Sequence, residues 1–423
     1  MANIGVIGTG YVGLTTAVCF ADLGHKVIGF DIDLSKIEVL SGGKSTIHEL
    51  GMTELIVKNL ANNNLTFRSN IESIAECEFI FLCVPTPQDA DGSADLSYVI
   101  KATKNLSTLV KKDATLITKS TVPVNAWKEV VKALNRSDVA VVSNPEFLRE
   151  GSAIADFFNP DRIVVGCGSS EKAKQVSDLY KQPDVETIIT DNSSAELIKY
   201  ASNSFLAIKL SYVNEVAALC EAVGANAKDV LFGMGKDSRI GSRFLEPGPG
   251  WGGSCFPKDV RALRVTAEDN AINMSLLSAA IDSNEKTHRR IVDKVEKELG
   301  NSLIGKTICI WGLTFKANTD DLRESPSIAV IERLIGRGAS VVAFDPVITN
   351  IENKKIKIAE SIEESCTAVD AILVLTEWEQ FKKVNPNSVM DLVSNKVVID
   401  SRNILDKNLW VNSGFNFVGN GWQ

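Results

Sequence analysis

The N-terminal region contains the feature that most constrains the fold, a glycine pattern set between a strand and a helix. The sequence there predicts a strand (residues 3–8), the GTGYVG turn (8–13), a helix (14–23) and a second strand (26–30). Asp31 ends the second strand, 23 residues after Gly8. Glycines at these spacings permit a tight turn, close approach to a pyrophosphate and close packing of helix on strand. The segment therefore predicts a dinucleotide-binding fold in preference to a glycine-rich turn that binds nothing.

Asp31 also indicates which dinucleotide is bound. A carboxylate at the end of the second strand accepts hydrogen bonds from ribose hydroxyls and repels a 2′-phosphate, so the sequence favours NAD over NADP. The N-terminus of the intervening helix supplies N–H groups that stabilise the cofactor phosphates. Lys36 could reach the adenosine phosphate region, although a solvated lysine on a helix explains this residue equally well.

Composition excludes several classes of protein. The chain has 423 residues, enough for two or three domains, and is 44% hydrophobic and 23% charged. The net charge is −8 and no Lys/Arg block occurs, so nothing indicates binding to nucleic acid or a membrane surface. No apolar run reaches the length of a membrane span, and the N-terminus lacks the features of a signal peptide. We therefore expect a cytoplasmic protein.

Cysteine and histidine usage argues against a metal centre. The eight cysteines are scattered without a CxxC pair, so neither a metal site nor a disulfide framework is predicted. The three histidines lie outside any motif, which weakens a mechanism with a histidine general base.

Polar residues follow several of the next predicted strands. These strands span residues 78–84, 114–118, 138–143, 162–166 and 185–190. Thr86, Thr121, Glu146 and Glu150 each lie just past a strand end, where ligands collect in parallel sheets. Each residue alone could be a turn or cap residue, but turn chemistry does not require the repeated pattern.

Residues 194–223 predict one long helix. Lys199 and Asn203 are four residues apart and share a face whose other members are small or apolar. The pattern supports two interpretations equally well. One is a polar cleft beside this helix face, and the other is a lysine whose side chain extends from the core to solvent. Residues 192–194, together with Glu196, predict the N-cap of this helix. The helix is too long and apolar to be solvated on most sides, so we expect it to carry a dimer contact.

A glycine-rich loop, residues 236–253, leads to a single cysteine. Arg239, Phe244 and Trp251 in this loop suit a ligand that combines rings and phosphates. Cys255 directly precedes a helix that begins near Pro257, and a helix N-terminus favours the thiolate. Asp259 lies four residues further on. Cys255 alone would be read as an inert buried thiol, and only the surrounding motifs favour catalysis.

The last part of the chain predicts a second βαβ array without a glycine fingerprint. Its strands span residues 307–311, 339–344, 368–375 and 396–399, with a helix over 326–337. We expect Lys316 and Arg402 to contact phosphate or a ring. The predicted fold class is α/β, with two Rossmann-like doubly wound domains joined by a long central helix and a helical dimerisation region. The expected domains are residues 1–193, 194–300 and 301–423.

The assembled motifs resemble the nucleotide-sugar dehydrogenase family over essentially the whole chain. The matching segments, in order, are GTGYVG, STVP, NPEFLREG, ELIKYASN, GPGWGGSCFPKD and GLTFKANTDDLRES. The resemblance implies four-electron oxidation of a sugar 6-hydroxymethyl group to a carboxylate with two NAD, through thiohemiacetal and thioester intermediates on Cys255. It also implies a homodimer, in which Arg239 reaches the neighbouring subunit's substrate.

The resemblance assigns roles to individual residues. Lys199 and Asn203 match the groups that stabilise the oxyanion, and Asp259 and Glu150 match residues that act with a water. The expected catalytic residues are Cys255, Lys199, Asn203, Asp259, Glu150, Thr121 and Glu146. The expected cofactor-binding residues are Gly8, Gly10, Tyr11, Val12, Gly13, Asp31, Lys36, Thr86, Thr121, Glu150 and Lys258. The expected substrate-binding residues are Phe147, Leu148, Arg149, Glu150, Lys199, Asn203, Arg239, Phe244, Gly252, Lys316 and Arg402.

The substrate is expected to be UDP-glucose, converted to UDP-glucuronate. The NPEFLREG segment followed by residues 159–162 (NPDR) resembles the members that act on glucose more than those that act on N-acetylhexosamines. A UDP-N-acetylhexosamine 6-dehydrogenase is the alternative enzyme. A non-catalytic NAD-sensing or scaffold protein is the alternative of another class, since a fold does not fix a function.

Overall fold

The computed structural model describes residues 1–422, and its first eight strands form one sheet in the order β3-β2-β1-β4-β5-β6-β7-β8. The strands are β1 (Asn3–Ile7), β2 (Lys26–Phe30), β3 (Leu65–Arg68), β4 (Phe79–Leu82), β5 (Thr115–Thr118), β6 (Ala140–Ser143), β7 (Ile163–Gly166) and β8 (Thr187–Thr190). All neighbours pair in parallel except β6 and β7, which pair antiparallel at Ser143 and Gly166. The strand order reverses between β1 and β4, which is where such sheets bind ligands.

Helices cover both faces of this sheet. They are α1 (Tyr11–Asp22), α2 (Leu34–Ser41), α3 (Met52–Ala61), α4 (Ser97–Leu106), α5 (Ala126–Leu134), α6 (Ala153–Phe158) and α7 (Ser170–Asp178). One core packs around Phe20 and Phe81, and a second packs around Leu82 and Val99. The central strands are apolar along their length because both of their faces are buried.

Four helices follow: α8 (Asn192–Val223), α9 (Ala227–Gly235), α10 (Phe256–Asp269) and α11 (Ser275–Glu298). The long helix begins two residues earlier than predicted. The Asp191 carboxylate accepts hydrogen bonds from the backbone N–H and the hydroxyl of Ser194, at 2.9 and 2.6 Å. Asp191 therefore caps α8, and the prediction that residues 192–194 form the cap with Glu196 is wrong.

The remaining strands form a six-stranded sheet in the order β11-β10-β9-β12-β13-β14. They are β9 (Thr307–Trp311), β10 (Ser340–Phe344), β11 (Ile356–Ile358), β12 (Ala371–Val374), β13 (Val397–Asp400) and β14 (Asn416–Val418), all paired in parallel. The associated helices are α12 (Pro326–Gly336), α13 (Ile362–Ser365), α14 (Glu379–Lys382) and α15 (Lys407–Asn412). Pro326 occupies the first turn of α12, where its missing N–H costs nothing, and Ser325 caps the helix.

The chain forms two compact units whose bounds do not follow chain order. The first unit comprises Met1–Ser202 with Arg261–Ile272, and the second comprises Asn203–Val260 with residues from Asn273 to the C-terminus. The division thus falls within α8 and within α10. The domain bounds expected at residues 193 and 300 stay a prediction.

The predicted α/β class with two Rossmann-like sheets and a long helix in mid-chain is confirmed. The strands predicted over residues 26–30 and 307–311 have the observed bounds, whereas β3, β11 and β14 were missed. Within residues 1–422, no helix has both the length and the apolar character needed to cross a membrane.

Candidate active site

The GTGYVG turn leaves room for a ligand only at its middle glycine. Gly8 has φ +90°, and a Cβ there would lie 2.8 Å from the carbonyl oxygen of Cys83. A Cβ on Gly13 would lie 1.9 Å from the carbonyl oxygen of Gly8. Around Gly10, in contrast, no atom of the described residues other than its two chain neighbours lies within 4 Å of that position. The turn itself thus requires glycine at positions 8 and 13, and Gly10 leaves the backbone open to a ligand.

The N-terminus of α1 suits a phosphate. The helix begins at Tyr11 and, within the described chain, has neither a capping side chain nor an acidic residue in its first turn. Its first N–H groups therefore offer a site of positive potential beside Gly10 and Val12. This open turn and uncapped helix fit the pyrophosphate of a dinucleotide.

Asp31 is held rigidly at the end of β2. Its Oδ2 accepts hydrogen bonds from the N–H and the hydroxyl of Thr9, at 2.8 and 2.9 Å, and its Oδ1 accepts one from the N–H of Asp33 at 3.0 Å. The carboxylate is therefore fixed beside the glycine turn, where a ribose would lie. Lys36 is half-buried on α2, and its N–H donates to the Asp33 side chain.

Tyr11 links the glycine turn to the NPEFLREG segment. Its hydroxyl donates to Glu49 and accepts a hydrogen bond from the N–H of Gly151 at 2.6 Å. Burial and the Glu49 carboxylate together raise the pKa of Tyr11 well above its usual value, and Glu150 adds to the effect. Glu49 also accepts a hydrogen bond from Ile154 at 3.3 Å. Glu49 was not predicted from the sequence, because it lies in a loop outside any motif.

Lys199 forms a buried ion pair with Glu146. Its Nζ lies 3.0 Å from Oε1 of Glu146, and the two side chains are 4% and 5% exposed. The ammonium also lies 5.5 Å from the centroid of the Phe147 ring. Glu146 is itself positioned by the N–H of Leu148, which donates to its Oε2 at 2.6 Å. Lys199 therefore does not extend from the core to solvent, because its ammonium is buried against Glu146. The polar cleft expected beside this helix face stays a prediction.

A pocket in the first unit collects residues from several strand ends. The Thr86 hydroxyl donates to the carbonyl oxygen of Thr121 at 2.9 Å, which joins the segments after β4 and β5. The pocket is lined by Thr118, Ser120, Thr121, Val122, Ser143, Pro145, Glu196 and Lys199. Thr121 and the lysine of α8 thus both line one pocket within this unit.

Glu196 lines the same pocket and caps α5, although it lies on α8. Its carboxylate accepts hydrogen bonds from the N–H groups of Asn125 and Trp127, at 2.7 and 3.0 Å, at the start of α5. Asn125 has a positive φ of 72° and makes no capping bond with its own side chain. Burial raises the pKa of Glu196 to about 7, although the hydrogen bonds from Asn125, Trp127 and Ser143 oppose the shift. This carboxylate thus fixes the segment that carries Thr121.

Two glycines fix the backbone ahead of Cys255 in the second unit. A Cβ on Gly252 would lie 2.1 Å from the carbonyl oxygen of Glu324, and Gly253 has φ +85° against the Phe315 ring. Cys255 immediately precedes α10 and is partly exposed, with its Sγ 3.6 Å from the hydroxyl of Ser254. The positive end of the helix favours the thiolate at this position.

Asp259 lies in the first turn of α10 and is fully buried. Its N–H donates to the carbonyl oxygen of Cys255 at 2.9 Å. Its Oδ2 accepts a hydrogen bond from Nδ2 of Asn203 at 2.6 Å, and its Oδ1 lies 2.8 Å from Nζ of Lys258. Asn203, Asp259 and the cysteine segment therefore form one hydrogen-bonded group. Lys258, expected to bind the cofactor, here neutralises Asp259.

The aromatic residues of the glycine-rich loop are anchored in the second unit. The N–H of Trp251 donates to Asn284, whose amide donates back to the carbonyl of Trp251, at 2.8 and 2.9 Å. Phe244 has φ +61°, and its ring centroid lies 6.4 Å from that of Phe256. The loop that leads to the cysteine is thus held by specific contacts.

Arg402 and Lys316 occupy loops at the ends of β13 and β9. The Arg402 guanidinium donates to the carbonyl oxygens of Leu375 and Phe315, at 2.9 and 3.1 Å, and lies 3.1 Å from Glu377. Lys316 is partly exposed, with its Nζ 5.4 Å from the Phe315 centroid. Both residues lie at the ligand-binding edge of the second sheet.

Two arginines expected to bind substrate pair with nearby carboxylates instead. Arg149 forms an ion pair with Asp156 at 2.5 Å, and Arg239 forms one with Asp237 at 2.6 Å. Their side chains are 60% and 87% exposed. Their roles toward a substrate stay predictions.

A glycine turn and a fixed carboxylate that fit a dinucleotide, and a cysteine ahead of a helix whose first turn holds a buried, amide-bound carboxylate, are features of an NAD-dependent dehydrogenase. Three family models match consecutive parts of the chain. They describe the NAD binding domain (residues 2–184), the central domain (193–286) and the UDP binding domain (309–407) of the UDP-glucose/GDP-mannose dehydrogenase family. The chain belongs to the UDP-glucose/GDP-mannose dehydrogenase family and is an oxidoreductase that uses NAD.

Individual relatives agree with this assignment over their full lengths. The UDP-glucose 6-dehydrogenase YwqF of Bacillus subtilis (strain 168) is 42% identical over 412 residues, covering 95% of this chain and 93% of the relative. The structure of a UDP-glucose dehydrogenase from Pyrobaculum islandicum matches with a TM-score of 0.93 and 36% identity, covering 100% and 98% of the two chains. That of a UDP-D-ManNAc dehydrogenase from Pyrococcus horikoshii matches with a TM-score of 0.88 and 26% identity, covering 99% of each chain.

Proposed function

We propose that this enzyme oxidises UDP-glucose at C6 to UDP-glucuronate and reduces two NAD in each turnover. The observation that carries the proposal is the group formed by Cys255, Asp259 and Asn203, in which a thiol precedes a helix whose first turn holds a buried, amide-bound carboxylate. A dehydrogenase that removes only two electrons from an alcohol has no need of a nucleophilic thiol.

The thiol makes the second oxidation feasible. The first oxidation removes a hydride and a proton from the C6 alcohol and leaves an aldehyde. The Cys255 thiolate adds to the aldehyde carbon, and the oxygen takes up a proton to give a thiohemiacetal. Loss of a second hydride and a proton converts this adduct to a thioester. Water then cleaves the C–S bond, which releases the carboxylate and the thiol.

Asn203 and Lys199 are proposed to stabilise the C6 oxygen while it carries negative charge. An amide N–H and an ammonium are suitable donors for a developing alkoxide, and a buried environment strengthens both interactions. Asn203 is oriented by Asp259 and Lys199 by Glu146, so each donor is held by a carboxylate in its own unit.

The hydrolytic step needs a carboxylate that activates water. Glu150 and Asp259 are proposed for this role, with Thr121 and Glu146 positioning the water. Asp259 has the better support, because it is fully buried and its N–H is bonded to Cys255.

The cofactor and the nucleotide are bound by separate sheets in this proposal. NAD, when bound, accepts each hydride from C6, and Gly10, the N-terminus of α1 and Asp31 hold its pyrophosphate and ribose. The uridine diphosphate is assigned to Arg402 and Lys316, in the part of the chain that matches a UDP binding domain, and to Phe244 and Gly252, in the part that matches the central domain.

Glucose is favoured as the sugar because the similar proteins over the whole chain include dehydrogenases named for UDP-glucose, at 42% and 36% identity. The alternative, a UDP-N-acetylhexosamine, has the weaker support of the 26% identical Pyrococcus protein. A non-catalytic scaffold has no need of a buried lysine, amide and carboxylate together with the cysteine.

The decisive experiment measures NADH formed per sugar nucleotide consumed, with UDP-glucose, UDP-N-acetylglucosamine, UDP-N-acetylmannosamine and GDP-mannose as substrates. We expect two NADH per UDP-glucose and the highest kcat/KM for that substrate. A ratio of one with accumulation of aldehyde would refute the thioester route, and a higher kcat/KM for an N-acetylated sugar would support the alternative enzyme.

The enzyme is also proposed to be a homodimer that contacts its partner through α8. Phe205, Tyr212 and Leu219 are seven residues apart on this helix and are 65%, 55% and 61% exposed. Apolar side chains at heptad spacing form one stripe along a helix, which a second copy of the chain can cover. The enzyme is further proposed to be cytoplasmic and to supply UDP-glucuronate for polysaccharide synthesis.

A further inference from the structure

We infer that Asn420, in the C-terminal tail, is a positioning residue for the nucleotide half of the substrate. The inference rests on the proposed function and deepens it, because it names a residue that sets the geometry of the UDP subsite. Asn420 lies beyond the match to the UDP binding domain, which ends at residue 407.

Asn420 is fully buried and uses all its polar groups. Its backbone N–H donates to the side chain of Asn403 at 2.8 Å, and the Asn403 amide donates back to its carbonyl oxygen at 2.7 Å. Its Oδ1 accepts from the Arg290 guanidinium at 2.8 Å and lies 3.5 Å from Nζ of Lys294. The two contacts with Asn403 fix the backbone of Asn420, and the two contacts to Oδ1 fix its side-chain amide in one orientation.

The amide nitrogen then joins two loops. Nδ2 of Asn420 donates to the carbonyl oxygen of Gly248 at 3.3 Å and to that of Ser401 at 3.2 Å. Gly248 belongs to the glycine-rich loop that leads to the cysteine, and Ser401 directly precedes Arg402. One side-chain NH₂ group therefore sets the distance between the glycine-rich loop and the segment that carries the proposed nucleotide-binding arginine.

Hydrogen bonds at both the N–H and the carbonyl oxygen of Gly248 fix its position. Its N–H donates to Oδ1 of the buried Asn214, on α8, at 2.9 Å, and its carbonyl oxygen accepts from Asn420. A Cβ at Gly248 would lie only 3.1 Å from Nη1 of Arg402. The guanidinium thus packs directly against this glycine, so a shift of Gly248 moves the surface on which Arg402 rests.

An asparagine is required at this position for a chemical reason. The Asn420 side chain must donate to two carbonyl oxygens and accept from two cations, and only an amide does both. Aspartate has the same shape and would keep the contacts to Arg290 and Lys294. It would, however, place a carboxylate oxygen against two carbonyl oxygens, which breaks the link between the loops.

The test compares Asn420→Asp with the native enzyme, using UDP alone as a calorimetric probe and UDP-glucose in steady-state assays. We expect UDP to bind at least about 10-fold more weakly and the KM for UDP-glucose to rise by a similar factor. The kcat and the KM for NAD should change less than about threefold. Asn408→Asp is the matched control, because it makes the same chemical change at an exposed amide on α15.

A structural role alone gives a different pattern. If Asn420→Asp lowers kcat, the affinity for NAD and thermal stability along with UDP affinity, the positioning role is overturned. Unchanged UDP affinity also overturns it. If the Asp variant does not fold, Asn420→Ser, which removes the amide that joins the two loops without adding a charge, decides by the same criteria.

A double-mutant cycle with Arg402→Ala tests whether Asn420 acts through Arg402. Non-additive losses of UDP affinity support the inference, and additive losses overturn it. Failure of the proposed function is distinguishable, because the native enzyme would then bind no UDP, or would bind UDP without oxidising UDP-glucose.

Discussion

Asn203 donates a 2.6 Å hydrogen bond from Nδ2 to the buried carboxylate of Asp259, and the N–H of Asp259 donates to the carbonyl of Cys255. The two side chains are 56 residues apart in the sequence. This bond orients the amide so that its second N–H can point away from Asp259. The amide proposed to stabilise the C6 oxygen is therefore tied to the same helical turn as the cysteine.

Replacing Asp259 tests this arrangement. We expect Asp259→Asn to lower kcat by about 100-fold or more, because the change removes the negative charge opposite Lys258 and leaves one acceptor oxygen where the carboxylate has two, for Asn203 and Lys258. The affinity for NAD should change little, since the glycine turn is untouched. Asp269→Asn, at the exposed end of the same helix, is the control and should retain activity. A kcat within threefold of the native value would remove Asp259 from the mechanism.

The Asp31 carboxylate predicts the choice of cofactor. We expect NAD to be used at least about 100-fold more efficiently than NADP, because Asp31 is fixed where the 2′-phosphate would lie. Asp31→Ala should reduce the preference for NAD, because it weakens the use of NAD and removes the repulsion of the NADP 2′-phosphate. The control is Asp33→Ala, which loses the cap of α2 but no ribose contact. Comparable kcat/KM for the two cofactors in the native enzyme would contradict the assignment.

Much of the fold could be predicted because buried parallel strands are continuous apolar runs bounded by turns. The bounds of β2 and β9 follow directly from such runs. The short edge strands β3, β11 and β14 were missed, since each has only three or four residues and one neighbouring strand. For these strands, pairing with a neighbour outweighs local sequence pattern.

The candidate site shows the same limit. The spacing of Lys199 and Asn203 placed both residues on one stripe of a helix, and each has a carboxylate partner, but the cleft expected there stays a prediction. Glu196 was misread as a cap for its own helix, because its partners at Asn125 and Trp127 lie 71 and 69 residues away. Carboxylates whose role depends on such distant N–H groups leave no local signal in one sequence.

The exposed stripe on α8 predicts the oligomeric state. We expect the combined substitutions Phe205→Glu and Tyr212→Lys to convert a dimer to a monomer, because each places a charge on the apolar face. Sedimentation or light scattering would measure the mass. Leu50→Lys is the control, since Leu50 is 91% exposed and lies outside α8. An unchanged mass for the α8 variant would place the interface elsewhere.

Glu196 predicts a dependence of stability on pH. Its pKa is raised by burial from an ordinary value of 4.5 to about 7, so the folded protein binds this proton more tightly than the unfolded chain does. The resulting stabilisation is complete below about pH 4.5 and is lost as the pH rises through about 7. Asp191 raises this pKa, and Lys199 lines the same pocket.

Glu196→Gln removes the titration. The difference in unfolding free energy between native enzyme and variant should therefore be larger at pH 5 than at pH 8, by about 2 to 3 kcal/mol. Denaturant unfolding at several pH values measures this difference. Glu129→Gln, an exposed change on α5, should show no such trend. A difference that does not vary with pH would mean that Glu196 stays ionised throughout.

The covalent mechanism depends on the thiol of Cys255. Serine has nearly the same shape, but its hydroxyl is far less acidic, so little alkoxide is present near neutral pH. We expect Cys255→Ser to lower turnover by several orders of magnitude and to leave the binding of UDP-glucose and NAD nearly unchanged. Any ester that forms hydrolyses more slowly than a thioester, so intact mass spectrometry should detect a sugar-nucleotide adduct on the variant.

The other seven cysteines supply the control, because none lies in a motif or precedes a helix beside a buried carboxylate. Cys167→Ser is the most informative of these variants, since Cys167, like Cys255, is partly exposed. It should retain two NADH per UDP-glucose. Near-normal production of UDP-glucuronate by Cys255→Ser would instead mean that the aldehyde is oxidised as its hydrate. The thiol would then have no part in the second oxidation, and the buried carboxylate of Asp259 would have to activate water for that step as well.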